Sequence, residues 1–182
     1  MKNCILMIFF GSLLMVSQLN GQTNASSDVD NAALGLGFGL DYGGMGVNIS
    51  AYPMKDFGVF IGVGYALAGV GVNGGAKLRF AVNRPSPKVT PYLLAMYGYN
   101  AAIVVTNKTS LNKLFYGFSA GAGIDIRPRK HPAGYWSLGV IVPFRSSKVD
   151  AYFDDLKYNH GVEFQNELFP VAFSVGYKFK IK

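Results

Sequence analysis

The last stretch of the chain, residues 168–181, alternates strictly between two kinds of side chain (LFPVAFSVGYKFKI). From residue 169 on, its odd positions are all apolar or aromatic, and its even positions are all small or charged. Successive side chains of a β-strand point to opposite faces, so this alternation predicts a strand between two different surroundings. The apolar face is unbroken, and the other face is small rather than richly polar. The pattern therefore predicts lipid on one side and a crowded lumen on the other.

Similar alternation recurs in eight runs after residue 31. In seven of them the parity is clean, and the apolar face carries no charged residue. The fifth run blurs through PYLLAMYGYNAAIVV, and its faces stay unassigned. The predicted strands cover residues 34–42, 45–52, 57–65, 70–82, 89–105, 114–127, 136–144 and 168–181. All strand charges fall on the second face: Asp41, Lys77, Arg79, Asp125, Arg127, Lys178 and Lys180.

These faces favour a membrane barrel over a soluble one. A soluble barrel would place apolar side chains inside and many charges outside, whereas the second face here is mostly Gly, Ser, Ala and Asn. Exposed backbone is not tolerated in lipid, so the strands must close without a free edge. The predicted fold class is all-β: an eight-stranded antiparallel up-and-down transmembrane β-barrel.

The connections between the runs have turn chemistry. Gly43-Gly44 joins the first two runs as a tight hairpin turn, and the prolines of residues 83–88 end the fourth. The longest connection, residues 145–167, is predicted as a loop, since no stretch after residue 31 shows convincing helical periodicity.

A weak internal repeat links the first two hairpins. Gly37-Phe-Gly39 followed by Gly46-Val47-Asn48 recurs as Gly62-Val-Gly64 followed by Gly71-Val72-Asn73. The shared spacing suggests duplication of a hairpin unit within one sheet. It is too short to indicate a solenoid.

The first residues have the composition of an export signal. Lys2 precedes an apolar run over residues 5–16 and a polar stretch that ends at Gly21. We expect residues 1–21 to be a cleaved signal peptide, 22–31 a flexible leader and 32–182 the barrel domain. Cys4, the only cysteine, lies inside the signal, so no disulfide is expected in the mature chain.

The formal net charge of +7 does not point to nucleic acid in an exported chain. Basic residues gather in predicted turns, where they would face acidic lipid headgroups or simply be solvated. They are Arg84, Lys88, Arg127, Arg129 and Lys130.

Together, the signal peptide, the glycine-laced alternating strands and an aromatic closing strand (Phe173, Tyr177, Phe179) resemble the small outer-membrane β-barrel proteins of the OmpA/OmpX-like superfamily. The resemblance covers residues 32–182 by pattern. It implies a porin-like barrel in the outer membrane of a Gram-negative cell envelope. The assembly signal of that family normally ends on an aromatic residue, whereas Lys180-Ile181-Lys182 follows Phe179 here.

Four charged residues on the second face form the most specific candidate site. Lys77, Arg79, Asp125 and Arg127 fall at comparable depth in the predicted barrel. Because a buried charge is costly unless it is paired, we predict an ion-pair cluster that joins Asp125 to Lys77 or Arg79 and plugs the lumen.

Catalytic and metal chemistry have weaker support. His131 lies in a basic turn and is predicted to be solvated. The outward loop brings His160 near serines and acids, which leaves a lipid-modifying hydrolase as one alternative. A carboxylate cation site there matches no known loop spacing, and nearby lysines compete for the acids. Four residues define this candidate outward interaction loop: Asp154, Asp155, His160 and Glu163.

The sequence thus favours a non-catalytic barrel with a closed lumen, no metal and no cofactor, serving as a structural or interaction module. Its expected partners are outer-membrane lipid and a protein of the cell envelope, with the oligomeric state left open. Three alternatives stay open: the hydrolase that uses His160, a narrow pore, and a subunit of a larger envelope complex.

Overall fold

The computed structural model describes residues 31–80, 88–105, 109–128, 133–159 and 168–181. Eight strands pair antiparallel in chain order, and the last pairs with the first, so the sheet closes on itself. The predicted all-β, eight-stranded up-and-down barrel is confirmed. The strands are β1 (Ala32–Gly39), β2 (Gly44–Ala51), β3 (Phe57–Tyr65), β4 (Val70–Arg79), β5 (Val89–Ile103), β6 (Lys113–Ile126), β7 (Gly134–Pro143) and β8 (Ala172–Ile181).

The two faces of the alternation become the outside and the inside of the barrel. Apolar side chains stand exposed on the outer surface, such as Leu36 at 54% and Ile61 at 51%. The charged side chains of the second face are buried in the lumen except for the half-buried Lys180, with Lys77 at 4% and Asp125 at 0%. Such a distribution is the reverse of a soluble protein, in which buried charges are rare.

A β-bulge explains the blurred parity of β5. The register with β6 shifts between Tyr99 and Ala101, so Asn100 is an extra residue. Inward side chains occupy even positions before the bulge, such as Leu94 and Met96, and odd positions after it, such as Ala101. Because these inward residues are themselves apolar, polarity alone could not distinguish the two faces.

The first hairpin departs from the prediction. Leu40 and Tyr42 were expected on the outer face, but β1 ends at Gly39 and residues Leu40–Tyr42 form a short 3-10 helix that folds into the lumen. We call these three residues the inner turn. Leu40 is 6% exposed and Tyr42 is fully buried. The fold inward needs positive φ angles on both sides, and glycines supply them at positions 39, 43 and 44.

The long connection after β7 was also predicted incorrectly. Its first half forms helix α1 (Ser147–Tyr158), not a loop. Four apolar residues spaced i, i+3, i+4 and i+7 give the helix one apolar face: Val149, Tyr152, Phe153 and Leu156. This face packs against the inner side of the β5–β6 hairpin at Ala101, Ile103 and Val105, forming a second hydrophobic core.

The two ends of the barrel differ. The lower end carries Ala32 and Ile181, and the upper end carries the inner turn and α1. At the upper end the β5–β6 hairpin pairs up to Ile103↔Lys113. β7 pairs with β6 only up to Ser119↔Pro143, and β4 with β5 only up to Asn73↔Gly98. The hairpin therefore projects beyond its paired neighbours.

Several strand ends differ from the prediction by a few residues. β8 begins at Ala172 rather than at residue 168, and β4 ends at Arg79 rather than at residue 82. The predicted signal peptide, most of the leader, His131, His160 and Glu163 lie outside the described residues. In the part of the chain that the structure describes, no helix is both long and apolar enough to cross a membrane.

Candidate functional site

A cluster of buried charges fills the lower lumen. Lys77 Nζ lies 2.8 Å from Asp125 Oδ1 and 3.0 Å from Oδ2, and Arg79 Nε lies 3.3 Å from Asp125 Oδ2. β4 and β6 both flank β5, which brings these residues to the same side of the lumen. The structure thus brings together three of the four residues that the sequence singled out.

Aromatic rings complete this lower cluster. The Arg79 guanidinium lies 3.4 Å from the ring centroid of Tyr52, and its Nη2 donates to the Tyr135 hydroxyl at 2.6 Å. Lys77 Nζ lies 3.5 Å from the ring centroid of Tyr92. Desolvated cation–π contacts of this kind stabilise buried cations. The lower cluster comprises Tyr52, Lys77, Arg79, Tyr92, Asp125 and Tyr135.

Arg127, the fourth predicted residue, lies beside this cluster. Its Nη1 donates to the Thr90 hydroxyl at 2.8 Å, and its guanidinium lies 5.4 Å from the ring centroid of Tyr135. It is 7% exposed, so the lower end of the lumen is closed by a buried cation.

A second polar network, which sequence reasoning missed, surrounds the inner turn. The Ser174 hydroxyl donates to the carboxylate of Asp41. Lys178 Nζ donates to Asn48 Oδ1 and to Ser50 Oγ, both at 2.9 Å. The only sequence signal was the lumen-facing parity of Asp41 and Lys178. Nothing in that parity could reveal the contact between residues at opposite ends of the chain.

The internal repeat positions the inner turn. Asn48 and Asn73 occupy equivalent places in the two copies, and each donates its Nδ2 to a backbone carbonyl of the turn. Asn48 reaches the carbonyl of Asp41 at 2.7 Å, and Asn73 reaches that of Leu40. Two repeated asparagines thus hydrogen-bond two backbone carbonyls of the inner turn and attach it to the barrel wall.

The repeated glycines leave room for the same turn. A Cβ atom on Gly62 would lie 2.1 Å from the carbonyl oxygen of Asp41, and one on Gly64 would lie 2.5 Å from that of Tyr42. A Cβ on Gly71 would lie 2.4 Å from the carbonyl oxygen of Gly43. The repeated glycines therefore lie where the inner turn contacts the barrel wall, and a side chain at these positions would collide with it.

Apolar side chains fill the space between the two polar networks. They form one core cluster across the lumen: Leu40, Phe60, Tyr92, Leu94, Met96 and Ile141. Eight strands leave an interior just wide enough for side chains to fill. The inner turn, the apolar cluster and the lower charge cluster together occupy the lumen over the described residues.

A cavity of about 620 Å³ lies above the inner turn, at the upper mouth of the barrel. We call it the rim pocket. Its floor includes Leu40, and one wall is the upper part of β5 from Tyr99 to Ala102. Outward-facing residues at the strand ends form its opening, namely Phe38, Met45, Tyr65 and Phe173.

Two polar side chains line this otherwise apolar pocket. Asn100 is 2% exposed, and its Nδ2 donates to the carbonyl of Phe144 at 3.1 Å. Arg145, which follows Phe144 in the chain, donates to the carbonyls of Leu168 and Phe169 at 3.4 and 2.6 Å. Burial lowers the pKa of Arg145, whereas the charge of Asp150 opposes this shift, and an arginine remains protonated.

The acidic residues of the predicted outward interaction loop lie on a helix. Asp154 is exposed on α1, and Asp155 accepts a hydrogen bond from Asn159 Nδ2 at 2.7 Å. His160 and Glu163 are outside the described ranges. Within those ranges, no group of three or more His, Cys, Asp or Glu residues is placed to hold a metal ion.

Comparison with family models finds no match, and comparison with curated proteins finds none. Among solved structures, the chain is similar to one described as "De novo design of transmembrane beta-barrels". The two share 15% sequence identity with a TM-score of 0.44, over 82% of this chain and 92% of the other.

Proposed function

We propose that this protein is a non-catalytic β-barrel that spans the outer membrane, with a closed lumen, and acts as a structural or interaction module. The observation that carries the proposal is the outer surface, where apolar side chains stand exposed along all eight strands, while Lys77, Arg79, Asp125 and Lys178 of the strands are buried inside. Water would make this surface strongly unfavourable, whereas the hydrocarbon of a bilayer would stabilise it.

Strand length supports the proposal. The strands range from 8 residues in β1 to 15 in β5. A tilted strand needs about 9–11 residues to cross a bilayer, which this range brackets.

Aromatic residues lie at both edges of the apolar surface. At the lower edge the ring of Tyr177 lies 5.3 Å from that of Trp136 and 5.0 Å from that of Phe179. At the upper edge the rings of Phe118 and Phe144 are 5.7 Å apart. Membrane barrels carry aromatic girdles at the two bilayer interfaces, and these two groups match that arrangement.

The location follows from the sequence. We infer that residues 1–21 direct export, and that the lower end, where both barrel termini lie, faces the periplasm. With this orientation in an outer membrane, as the resemblance to the OmpA/OmpX-like superfamily implies, α1 and the β5–β6 hairpin would lie outside the cell. They would then be the surface available to an envelope partner.

The filled lumen disfavours a narrow pore. A hydrated path would have to pass the inner turn and then Lys77, Arg79 and Asp125, all of which are buried and packed against aromatic rings.

The single tryptophan provides a direct test of membrane insertion. Trp136 is 47% exposed on the outer face near the lower end. In phospholipid vesicles whose chains carry bromine at defined depths, we expect its fluorescence to be quenched most by bromine close to the headgroups. Quenching by aqueous iodide with none by brominated lipid would contradict the proposal. A Trp136→Phe variant gives the background signal.

A further inference from the structure

We propose that the rim pocket binds a monoacyl acid, such as a fatty acid, with its headgroup at Asn100 and Arg145 and its chain directed toward the bilayer. This inference rests on the proposed membrane location. It adds a ligand site to a barrel that is otherwise closed.

The size and lining of the pocket fit a small apolar molecule. Its volume of about 620 Å³ lies within the range of about 300–1,000 Å³ that is common for ligand sites. Such sites are predominantly apolar and contain a few placed polar groups, which is the composition found here.

Two polar atoms in the pocket have no hydrogen-bond partner, and the headgroup of a ligand can supply one for each. Asn100 Oδ1 and Arg145 Nε are buried and have no hydrogen-bond partner among the described residues. One is an acceptor and the other a charged donor. Buried polar groups are normally satisfied, so the pair calls for a head that both donates and accepts. A carboxylic acid in its protonated form does both, because its O–H donates to Asn100 Oδ1 and its carbonyl oxygen accepts from Arg145 Nε.

The two groups are neighbours in the pocket. Asn100 Nδ2 donates to the carbonyl of Phe144, and Arg145 is the next residue in the chain. The bulge that makes Asn100 an extra residue in β5 therefore gives the pocket its buried acceptor. Without the bulge, β5 would contain no extra residue at position 100 and its register with β6 would stay regular.

The opening of the pocket connects it to lipid. Phe38, Met45, Tyr65 and Phe173 line the pocket, and each is more than half exposed on the outer face. These four residues lie at the upper ends of β1, β2, β3 and β8. An acyl chain can thus leave the pocket sideways without crossing water. This favours a membrane amphiphile over a water-soluble ligand.

Photolabelling in phosphatidylcholine nanodiscs tests the proposal. The probe is palmitic acid that carries a diazirine in mid-chain, and the labelled residues are identified by peptide mass spectrometry. We expect labels at the pocket opening, on Phe38, Met45, Tyr65 or Phe173. Labels spread evenly over the outer face, for example on Ile49 and Ile61, would overturn the site.

Two pairs of variants test the polar groups of the pocket and its volume separately. Asn100→Leu is expected to reduce labelling about fivefold, the effect of one lost hydrogen bond, whereas the exposed Asn159→Leu leaves it unchanged. Ala102→Trp fills the pocket and abolishes labelling there, whereas Ala95→Trp, on the outer face of the same strand, does not. Equal labelling within either pair contradicts the proposal.

A third comparison tests the acceptor of the head. The matching diazirine fatty alcohol lacks the carbonyl oxygen, so Arg145→Gln should reduce labelling by the acid more than labelling by the alcohol. In the same nanodiscs, quenching of Trp136 reports membrane insertion separately. Normal quenching with no pocket label would refute the ligand site alone, whereas absent quenching would refute the membrane proposal.

Discussion

Lys77 Nζ lies 2.8 Å from Asp125 Oδ1 within the lumen, although 48 positions separate the two residues in the chain. Arg79 contacts the same carboxylate from a second direction, 3.3 Å from Oδ2. A single buried acid thus balances two buried cations. The acid and the cations are not equivalent. Loss of Asp125 breaks both contacts, whereas loss of one cation leaves the contact of the other cation in place.

We therefore expect Asp125→Asn to be more destabilising than Lys77→Met. Loss of the carboxylate should lower the free energy of unfolding by about 3–5 kcal/mol, the usual effect of breaking a buried pair. Lys77→Met should cost about 1–2 kcal/mol, because Arg79 still neutralises Asp125. Urea unfolding of the refolded barrel in detergent measures both values. Equal losses in the two variants would contradict the shared-carboxylate arrangement.

A methyl group on the wall beneath the inner turn should displace that turn. In Gly62→Ala the new Cβ would lie 2.1 Å from the Asp41 carbonyl oxygen. We expect a loss of about 1–3 kcal/mol in the free energy of unfolding from this overpacking. Gly74→Ala, on the adjacent strand, is the matched control, because its nearest contact would be 3.7 Å away. If both variants lose the same stability, helix or strand propensity rather than the inner turn is responsible.

Removal of either repeated asparagine should weaken the attachment of the inner turn. Asn73→Leu keeps the side-chain size but removes the side-chain donor to the carbonyls of Leu40 and Tyr99, and the Leu40 carbonyl keeps only the Gly43 N–H. An unsatisfied buried carbonyl costs about 1–3 kcal/mol. Faster hydrogen exchange at residues 40–44 in the variant, with unchanged exchange in β6, is the expected result. Uniform acceleration over the whole barrel would mean that the asparagine stabilises the wall instead.

The filled lumen should block ion flow. In a planar bilayer we expect no conductance steps from the wild-type protein, because no continuous space passes the inner turn and the lower cluster. Regular steps of one size, retained in preparations purified to homogeneity, would support the narrow-pore alternative.

Helix α1 should detach without loss of the barrel. Leu156 is fully buried in the second core, and Leu156→Ala should cost about 2–5 kcal/mol of local stability. Proteolysis within residues 147–158 should become faster, while the heat-dependent mobility of the barrel on a gel stays the same. Lys157→Ala, on the exposed side, is the control. Loss of the barrel mobility shift in Leu156→Ala would show that the helix supports the whole fold.

The regular part of this fold was predictable because it depends on the local alternation of apolar side chains with small or charged ones. Period two assigned seven strands and their faces, and the absence of charge on one face indicated which side is outside. The β5 faces were unpredictable, because Leu94 and Met96 face inward and Asn100 interrupts the register. Helix α1 did leave a signal in the spacing of Val149, Tyr152, Phe153 and Leu156. This signal covers four residues only and is weaker than the strand alternation in the rest of the chain.

The inner turn illustrates why the rest could not be predicted. The alternation continues through Leu40 and Tyr42, so the local pattern places both outside. Their actual position depends on donors from β2 and β4 and on space left by glycines of three strands. Such information is distributed over the chain, and it becomes visible only when the sheet has closed.

The contact between Asp41 and Ser174 spans 133 positions, and that between Lys178 and Asn48 spans 130. Both join the first hairpin to the last strand. A chain still lacking β8 would hold Asp41 without its serine donor, in a partly formed lumen. The first hairpin is thus left incomplete until the final strand arrives, so closure of the sheet and locking of its interior become a single cooperative event.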